Sequence, residues 1–329
     1  MKKNATNTFF LISILIICAV FLIVTGKFDF NRNYEPFSFK LYSMDTDATI
    51  KIYDDGDFVA DAVFAAVDRL VELEGILDYY NPDSELSKIN ALAYEEAVFV
   101  SDTMADIIHI SLNYCKLTNG AFDISLGLLI ETANSSLAQH LSYKNILFDK
   151  ENSTVRFANE HIKMHFGAIA KGYAVDEMLR VLRERGVESA IIEFGGEIGV
   201  IGKSPSRKDG LWKIGIRNPL GSDVPIETVM LKAGTVATSG TYERGEHIFD
   251  PDTGLAAKSK FLSVTVIGDT CASADALSTA IFVNEQILKQ VGNKYCVIVV
   301  EKQGKVTYNH INNCHLCVNG GGNNGVIAD

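Results

Sequence analysis

The sequence has no surplus of positive charge. Its 30 lysines and arginines face 41 aspartates and glutamates, a formal net charge of -11 over 329 residues. The basic face that a nucleic-acid backbone demands is therefore missing, and an anionic substrate needs a local cation. Cysteine is scarce too: the six positions, Cys18, Cys115, Cys271, Cys296, Cys314 and Cys317, are too few and too scattered for a disulfide-built scaffold. Stability has to come from an apolar core, which 47% hydrophobic residues can supply in a chain of this length. No internal repeat and no proline-rich linker divides Asn33 to about His310, so that stretch reads as one catalytic unit, 33-310. Two nucleotide-binding signatures are also absent. There is no G-x-G-x-x-G fingerprint, and Gly202-Lys203-Ser204 fails as a phosphate loop because Glu197 stands where its first glycine belongs and Pro205 blocks the helix that should follow.

What is present begins with Met1-Lys2-Lys3 and an apolar run from Phe9 to Val24 broken only by Ser13. At 1.5 Å per residue a helix of that run reaches about 24 Å, just short of a ~30 Å hydrocarbon layer. Residues 1-30 are therefore expected to be a signal peptide or membrane anchor, oriented with its lysines in the cytoplasm and everything after Gly26 outside it. Cys18 does not fit a lipid-attachment site, since Ile17 precedes it and Ala19 to Val24 continue the apolar run. At the other end, Cys314-His315-Leu316-Cys317 is half of a metal or redox motif, or a small disulfide, with no second pair. It leads into the Gly/Asn-rich stretch Asn319 to Gly325, and residues 311-329 read as a flexible tail.

Between these ends, apolar residues at Val59, Val63, Val67, Leu70, Leu73 and Leu77 predict a helix over Asp57 to Leu77. A second helix is expected from Ser101 or Asp102 to Thr118, stopped near Asn119-Gly120, and a third from about Gly172 to Arg185, stopped by Gly186. Strands are expected at Thr49 to Tyr53, Ala190 to Glu193, Trp212 to Ile216, Val264 to Ile267 and Cys296 to Val300, the last turning at Gln303-Gly304 into Lys305 to Tyr308. Without regular strand-helix alternation the fold class is α+β.

The chemistry concentrates in a few segments. Asp275 and Thr279 stand four apart in Ala274-Asp275-Ala276-Leu277-Ser278-Thr279, so a helix puts a carboxylate and a hydroxyl on one face. Hard cations such as magnesium take such oxygens and share them with substrate phosphates. The competing reading makes Ser273 a cap and Asp275 a first-turn acid of a surface helix. Gly167 to Asp176 is small and glycine-flanked before a helix, which suits close approach to an ion or plain helix-sheet packing; packing alone does not ask for Lys171. Gly120-Ala121-Phe122-Asp123 joins a flexible glycine, a ring and a carboxylate, or else a core residue and a cap. Thr238 to Arg244 reads as a hydroxyl-dense loop before His247-Ile248-Phe249-Asp250-Pro251-Asp252-Thr253-Gly254.

Eight segments in this order resemble the FAD:protein FMN transferases, the ApbE family, over about Lys40 to Thr307. They are M-x-T at Met44 to Thr46, Y-x-P-x-S-E-L-S-x-I-N from Tyr80 to Asn90, G-A-F-D at Gly120 to Asp123, Gly167 to Asp176, F-G-G-E at Phe194 to Glu197, A-T-S-G-x-Y-E-R from Ala237, H-I-F-D-P-x-T-G from His247, and A-D-A-L-S-T from Ala274. The resemblance implies a T-fold-like α+β domain that uses Mg2+, splits the pyrophosphate of FAD as substrate, esterifies FMN onto a threonine of an acceptor protein and releases AMP. It places the metal on Asp275, Thr279 and Ala168, and the flavin nucleotide on Met44, Tyr80, Ala121, Phe122, Asp123, Lys171 and Ile248. The expected partners are FAD, an acceptor flavoprotein and, through the N-terminal segment, a bacterial cell membrane with the catalytic domain on its extracytoplasmic side.

Within that reading Lys171 adds positive charge near the phosphates, and His247 is the candidate base for the incoming threonine, with Asp250 orienting it or replacing it. The same residues would serve a pyrophosphatase that yields free FMN and AMP, and a flavin-binding module without turnover would need fewer of them. Three positions depart from the family pattern: Asp45 replaces the glycine of M-G-T, His165 stands where an acidic residue helps hold the flavin nucleotide, and Glu197 stands where aspartate is common.

Overall fold

The computed structural model describes residues 35–242, 245, 247–292 and 294–309, and the backbone of 317–319. The N-terminal apolar run and Cys314 lie outside the described residues. The described residues from Pro36 onward belong to one compact unit.

In chain order the elements are β1 (Phe37–Ser43), β2 (Thr46–Ile52), α1 (Phe58–Leu77), α2 (Glu85–Leu92), β3 (Val98–Phe99), α3 (Asp102–Leu117), α4 (Gly127–Thr132), β4 (Ile146–Asp149) and β5 (Thr154–Phe157). There follow α5 (Ala170–Glu184), β6 (Ala190–Phe194), β7 (Glu197–Ile201), β8 (Trp212–Ile216), β9 (Glu227–Leu231), β10 (Thr235–Gly240), β11 (Phe261–Gly268), α6 (Cys271–Val283), α7 (Gln286–Val291), β12 (Cys296–Glu301), β13 (Val306–Asn309) and β14 (Cys317–Asn319). The centre is an eight-stranded antiparallel sheet in the order β1-β2-β6-β7-β10-β11-β12-β13, flanked by three-stranded sheets β14-β9-β8 and β3-β5-β4. Strand β14 pairs with β9 in antiparallel register, Val318 opposite Met230, so part of the segment expected to be tail is sheet.

Both faces of the central strands are covered. On β12, Val297 and Val299 belong to the large core beneath the helices, while Cys296 and Ile298 belong to a smaller core shared with β8 and β9. The alternation follows from the two-residue period of a strand, and burial on both sides explains why this antiparallel strand reads as an unbroken apolar run. Helix α5 lies against α1 on one side and α6 on the other. The predicted helices begin and end close to their expected limits: Ser101 caps α3 by accepting from the Met104 N–H, and α5 starts at Ala170, two residues earlier than expected.

Helix α6 differs most from expectation. Eleven of its 13 residues are buried, and only Thr279 and Val283 are less so. It is a core helix, apolar all round and rich in alanine and serine, rather than a surface helix. Its N-cap is Thr270, whose hydroxyl accepts from the Ser273 N–H at 3.3 Å; Ser273 sits inside the first turn. The small residues let α5 come very close. A Cβ on Gly172 would lie 2.5 Å from the Cys271 carbonyl oxygen, so the crossing requires glycine.

Candidate active site

At that crossing the two helices exchange caps. The Asp176 carboxylate on α5 accepts from the Cys271 and Ala272 N–H groups at the start of α6, at 2.7 and 2.9 Å. In return the Gly172 N–H of α5 donates to Asp275 Oδ2 on α6 at 3.2 Å. Each carboxylate thus answers the unpaired amides that a helix N-terminus leaves over. Burial raises the Asp176 carboxyl to about 6, although both amide bonds pull the other way. The exchange fixes Asp275 at the wall of a cavity of about 500 Å3.

Ala168, Lys171, Glu197, Ser239, Asp275 and Thr279 share that wall. Lys171 Nζ lies 2.8 Å from Glu197 Oε1 and 3.8 Å from Asp275 Oδ2. Glu197 is 2% exposed, and its second oxygen, Oε2, has no hydrogen-bond partner among the described residues. Burial pushes its carboxyl up; the Lys171 ammonium at 2.8 Å is the main pull the other way, and the Asp275 charge adds to the rise. Ser239 and Thr238 lie on strand β10 rather than in the expected loop, because β10 pairs with β11 through Gly240 and the Thr238 hydroxyl meets that of Thr265 at 2.9 Å. Thr279, one turn beyond Asp275 on α6, faces the same cavity, so the spacing read from the sequence does bring the carboxylate and the hydroxyl together.

The remaining walls are turns and connections carrying rings. Met44 and Asp45 form the β1–β2 turn with φ of 45° and 60°, and Glu74 of α1 holds it by accepting from the Met44 N–H at 2.7 Å and the Ser43 hydroxyl at 2.9 Å. Tyr80 is 70% exposed at the cavity and stands edge-on to Tyr79, which is edge-on to His165 in turn. The Tyr79 hydroxyl donates to Glu131, itself paired with Lys163 at 2.8 Å. Burial, followed by Glu131, pushes the Tyr79 phenol well above its usual range. Burial lowers the His165 imidazole to about 4, so it is neutral, and its Nδ1 accepts from the Gly167 N–H at 3.1 Å.

Ala121, Phe122, Asp123 and Ile248 also line the cavity, Phe122 and Ile248 as buried apolar walls. Asp123 is a brace: its two oxygens accept from the Ser125 and Tyr143 N–H groups at 2.8 and 2.9 Å, and burial raises its carboxyl. His247 is exposed at the cavity with Nδ1 2.9 Å from the Gly245 carbonyl oxygen. A carbonyl only accepts, so Nδ1 carries the proton and Nε2 is left as the basic nitrogen. Asp250 does not join it. Its Oδ1 accepts from the Asp252 N–H at 2.9 Å and its carbonyl from Gly254, which makes it the head of a tight turn outside the cavity lining. Pro251 and Gly254 in the sequence are the signs of that turn.

Sequence reasoning did not select Glu197, Ser239, Tyr79 or Glu74 as site residues. Glu197 and Ser239 lie within segments noted for other reasons; burial of a carboxylate marks Glu197, and hydroxyl bonds to a helix 39 and 40 residues further on mark Ser239, both of which appear only once the fold is formed.

Among the described residues no group of three or more His, Cys, Asp and Glu side chains is placed to hold a metal ion. A hard cation at this wall would have one carboxylate, Asp275, supplemented by the Thr279 hydroxyl and the backbone at Ala168. That sparse, all-oxygen set is the kind that magnesium completes with water and substrate phosphate.

Comparison with known proteins places this geometry. Residues 44–295 match the model of the ApbE family. The FAD:protein FMN transferase of Treponema pallidum (strain Nichols) is 29% identical over 259 residues, 67% of this chain and 72% of the relative. That of Vibrio cholerae is 28% identical over 249 residues, 66% of this chain and 72% of the relative. The crystal structure of the ApbE protein from Thermotoga maritima MSB8 superposes with a TM-score of 0.74 at 28% identity, covering 83% of this chain and 96% of that one. With the family model spanning every residue from the Met44 turn through Thr279 and on to Tyr295, the chain belongs to the ApbE family.

Proposed function

We propose that this protein is an FAD:protein FMN transferase that moves FMN from FAD to a threonine side chain of an acceptor protein and releases AMP. The observation that carries the reading is the wall where Asp275, Thr279 and Ala168 converge beside the buried Lys171–Glu197 pair, in a chain whose relatives bear that name. The threonine oxygen forms a new bond to the phosphorus of the FMN phosphoryl group, the bridging P–O bond breaks, and AMP departs with the electron pair. Asp275, Thr279 and the Ala168 backbone would hold Mg2+, which supplies Lewis-acid withdrawal of charge from the diphosphate. Lys171, held by Glu197, sits where it adds positive charge beside the same oxygens. His247 Nε2 takes the proton of the threonine hydroxyl, a role supported by its tautomer and exposure at the cavity. Asp250 shapes the loop that carries it. The ring-bearing walls at Met44, Tyr80, Ala121, Phe122, His165 and Ile248 take the flavin nucleotide.

The domain works on the extracytoplasmic side of a bacterial cell membrane, held there by the N-terminal segment. Two features support this: the lysine-flanked apolar run, and Cys296, which is disulfide-bonded, a state that persists in oxidising compartments. Among the described residues no helix is long and apolar enough to cross a membrane.

Incubating the purified chain with FAD, MgCl2 and a flavin-acceptor domain tests the activity. Flavin fluorescence that stays with the acceptor after denaturation is the expected result. Soluble FMN with an unlabelled acceptor would replace transfer by hydrolysis, and unchanged FAD would leave a binding protein. Protease added to intact cells should reach the domain, and full protection would overturn the topology.

A further inference from the structure

We infer that Ser239 is a positioning residue that sets the direction of the Thr279 hydroxyl and so makes Thr279 a cation ligand. The inference rests on the metal reading given above and deepens it. Three hydroxyls form a chain: Thr279 Oγ1 lies 2.9 Å from Ser239 Oγ, Ser239 Oγ lies 2.7 Å from Ser278 Oγ, and Ser278 Oγ lies 2.9 Å from the Asp275 carbonyl oxygen. Each hydroxyl has one proton to give. The carbonyl can only accept, so Ser278 spends its proton there. Ser239 must then donate to Ser278, and the Ser239 oxygen is left to accept from Thr279.

The consequence falls on Thr279. Its proton is committed to Ser239, and its lone pairs remain for the cavity that both residues line. A hydroxyl that ligates a cation needs that polarity, because a proton aimed at the ion is repelled. Without the chain, Thr279 on a helix would be free to turn its proton to a backbone carbonyl of the preceding turn, as helical threonines do. The relay begins at the backbone of Asp275, the residue that supplies the carboxylate ligand, so one short stretch of α6 orients both groups. The middle of the chain is shielded from water: Ser278 is 0% exposed, while Ser239 and Thr279 are half-buried at the cavity wall.

The test reads cation binding without turnover. Melting of the full chain is followed against MgCl2 concentration for the wild type, Ser239→Ala, Ser239→Thr and Ser278→Ala. The expected result is a midpoint raised about tenfold in Ser239→Ala, the usual scale for losing a partner that orients a metal ligand, with Ser239→Thr restoring it to within about twofold because the hydroxyl returns. Ser278→Ala frees Ser239 to donate toward Thr279 and should raise the midpoint about threefold, a loss that a merely space-filling Ser239 does not produce. A Ser239→Ala midpoint equal to the wild type overturns the inference; should that variant fail to fold, an unchanged Ser278→Ala midpoint does the same. A wild-type chain whose melting ignores MgCl2 at every concentration sinks the metal reading itself, and this inference with it. FAD affinity without metal, read by flavin fluorescence, should match the wild type in all three variants, whereas a general collapse of the cavity would lower it.

Discussion

The two kinds of wall that meet in the cavity are built differently. Lys171, Glu197, Ser239, Asp275 and Thr279 stand on helices and strands, and neighbours fix their polar atoms at 2.7 to 3.2 Å. Met44, Tyr80, Ala121, His165 and His247 stand on turns and connections. Groups that must meet a diphosphate need placement to a fraction of an ångström, which regular elements provide, Ala168 alone standing on the turn two residues before α5, while ring recognition tolerates walls that vary. The departures from the family pattern follow this division. Of the three positions where the sequence departs from the expected pattern, Asp45 and His165 lie on the turn-built walls, whereas Glu197, on the regular wall, keeps the carboxylate of aspartate and adds a methylene.

The largest effect that would break this contrast lies at Asp275. Asp275→Asn keeps an oxygen for the Gly172 N–H but removes the charge, and transfer should fall at least about 1,000-fold with the fold intact. Wild-type turnover in that variant would refute the ionic wall as the seat of the chemistry. Asp275→Ala is a poorer probe than the sequence promised. On a buried helix it leaves the Gly172 amide unanswered as well, at a cost of about 1–3 kcal/mol in stability.

Next comes the pair at Glu197. Glu197→Ala would leave the largely buried Lys171 ammonium without its 2.8 Å partner, a loss of about 3 kcal/mol in urea unfolding. Glu197→Asp should cost far less, since the carboxylate survives. If alanine and aspartate behaved alike, the ion pair would contribute nothing and the wall would be held by packing alone.

The turn-built side gives a smaller, pH-dependent effect at His165. Above pH 6.5 the imidazole is neutral in both the folded and the unfolded chain. As pH falls, the unfolded chain takes up a proton first, while burial delays the folded one to about pH 4. Stability contributed by the neutral ring is therefore complete above 6.5 and is lost as pH drops through this window, by at most about 3 kcal/mol. His165→Asn removes the titrating group, so its unfolding free energy should fall less steeply from pH 6.5 to 4 than that of the wild type. Parallel curves would show that the ring is solvated.

How far the sequence foretold these walls also differs between them. The period of Val59, Val63, Leu70 and Leu73 was enough to place α1, and the four-residue spacing of Asp275 and Thr279 held because a helix fixes it. The α+β class followed from the irregular order of helices and strands. Burial was not legible: α6 was expected at the surface, although its alanines and serines signal close packing as readily as exposure. Nor could spacing reveal long-range partners such as Glu197 with Lys171 or Ser239 with Thr279, separated by 26 and 40 residues. Asp250 stands three residues from His247 in sequence, and the turn that Pro251 and Gly254 announce accounts for its hydrogen bonds to Asp252 and Gly254.

The smallest effect tests whether the backbone or the side chain holds the turn at Asp45. Its φ of 60° lies in the left-handed region, which costs an L-residue about 1–2 kcal/mol, less for aspartate. Asp45→Gly removes that cost but enlarges the freedom of the unfolded chain by about 0.5–1 kcal/mol, so the variant should gain only about 0.5 kcal/mol. Asp45→Ala keeps the strain and loses the carboxylate, and should lose about 1 kcal/mol. Opposite signs in the two variants mean that backbone conformation dominates and that the acidic side chain is carried at this position for what it does in the cavity. If both variants lose stability equally, the carboxylate is what secures the turn, and the wall is less free to vary than the contrast with α6 implies.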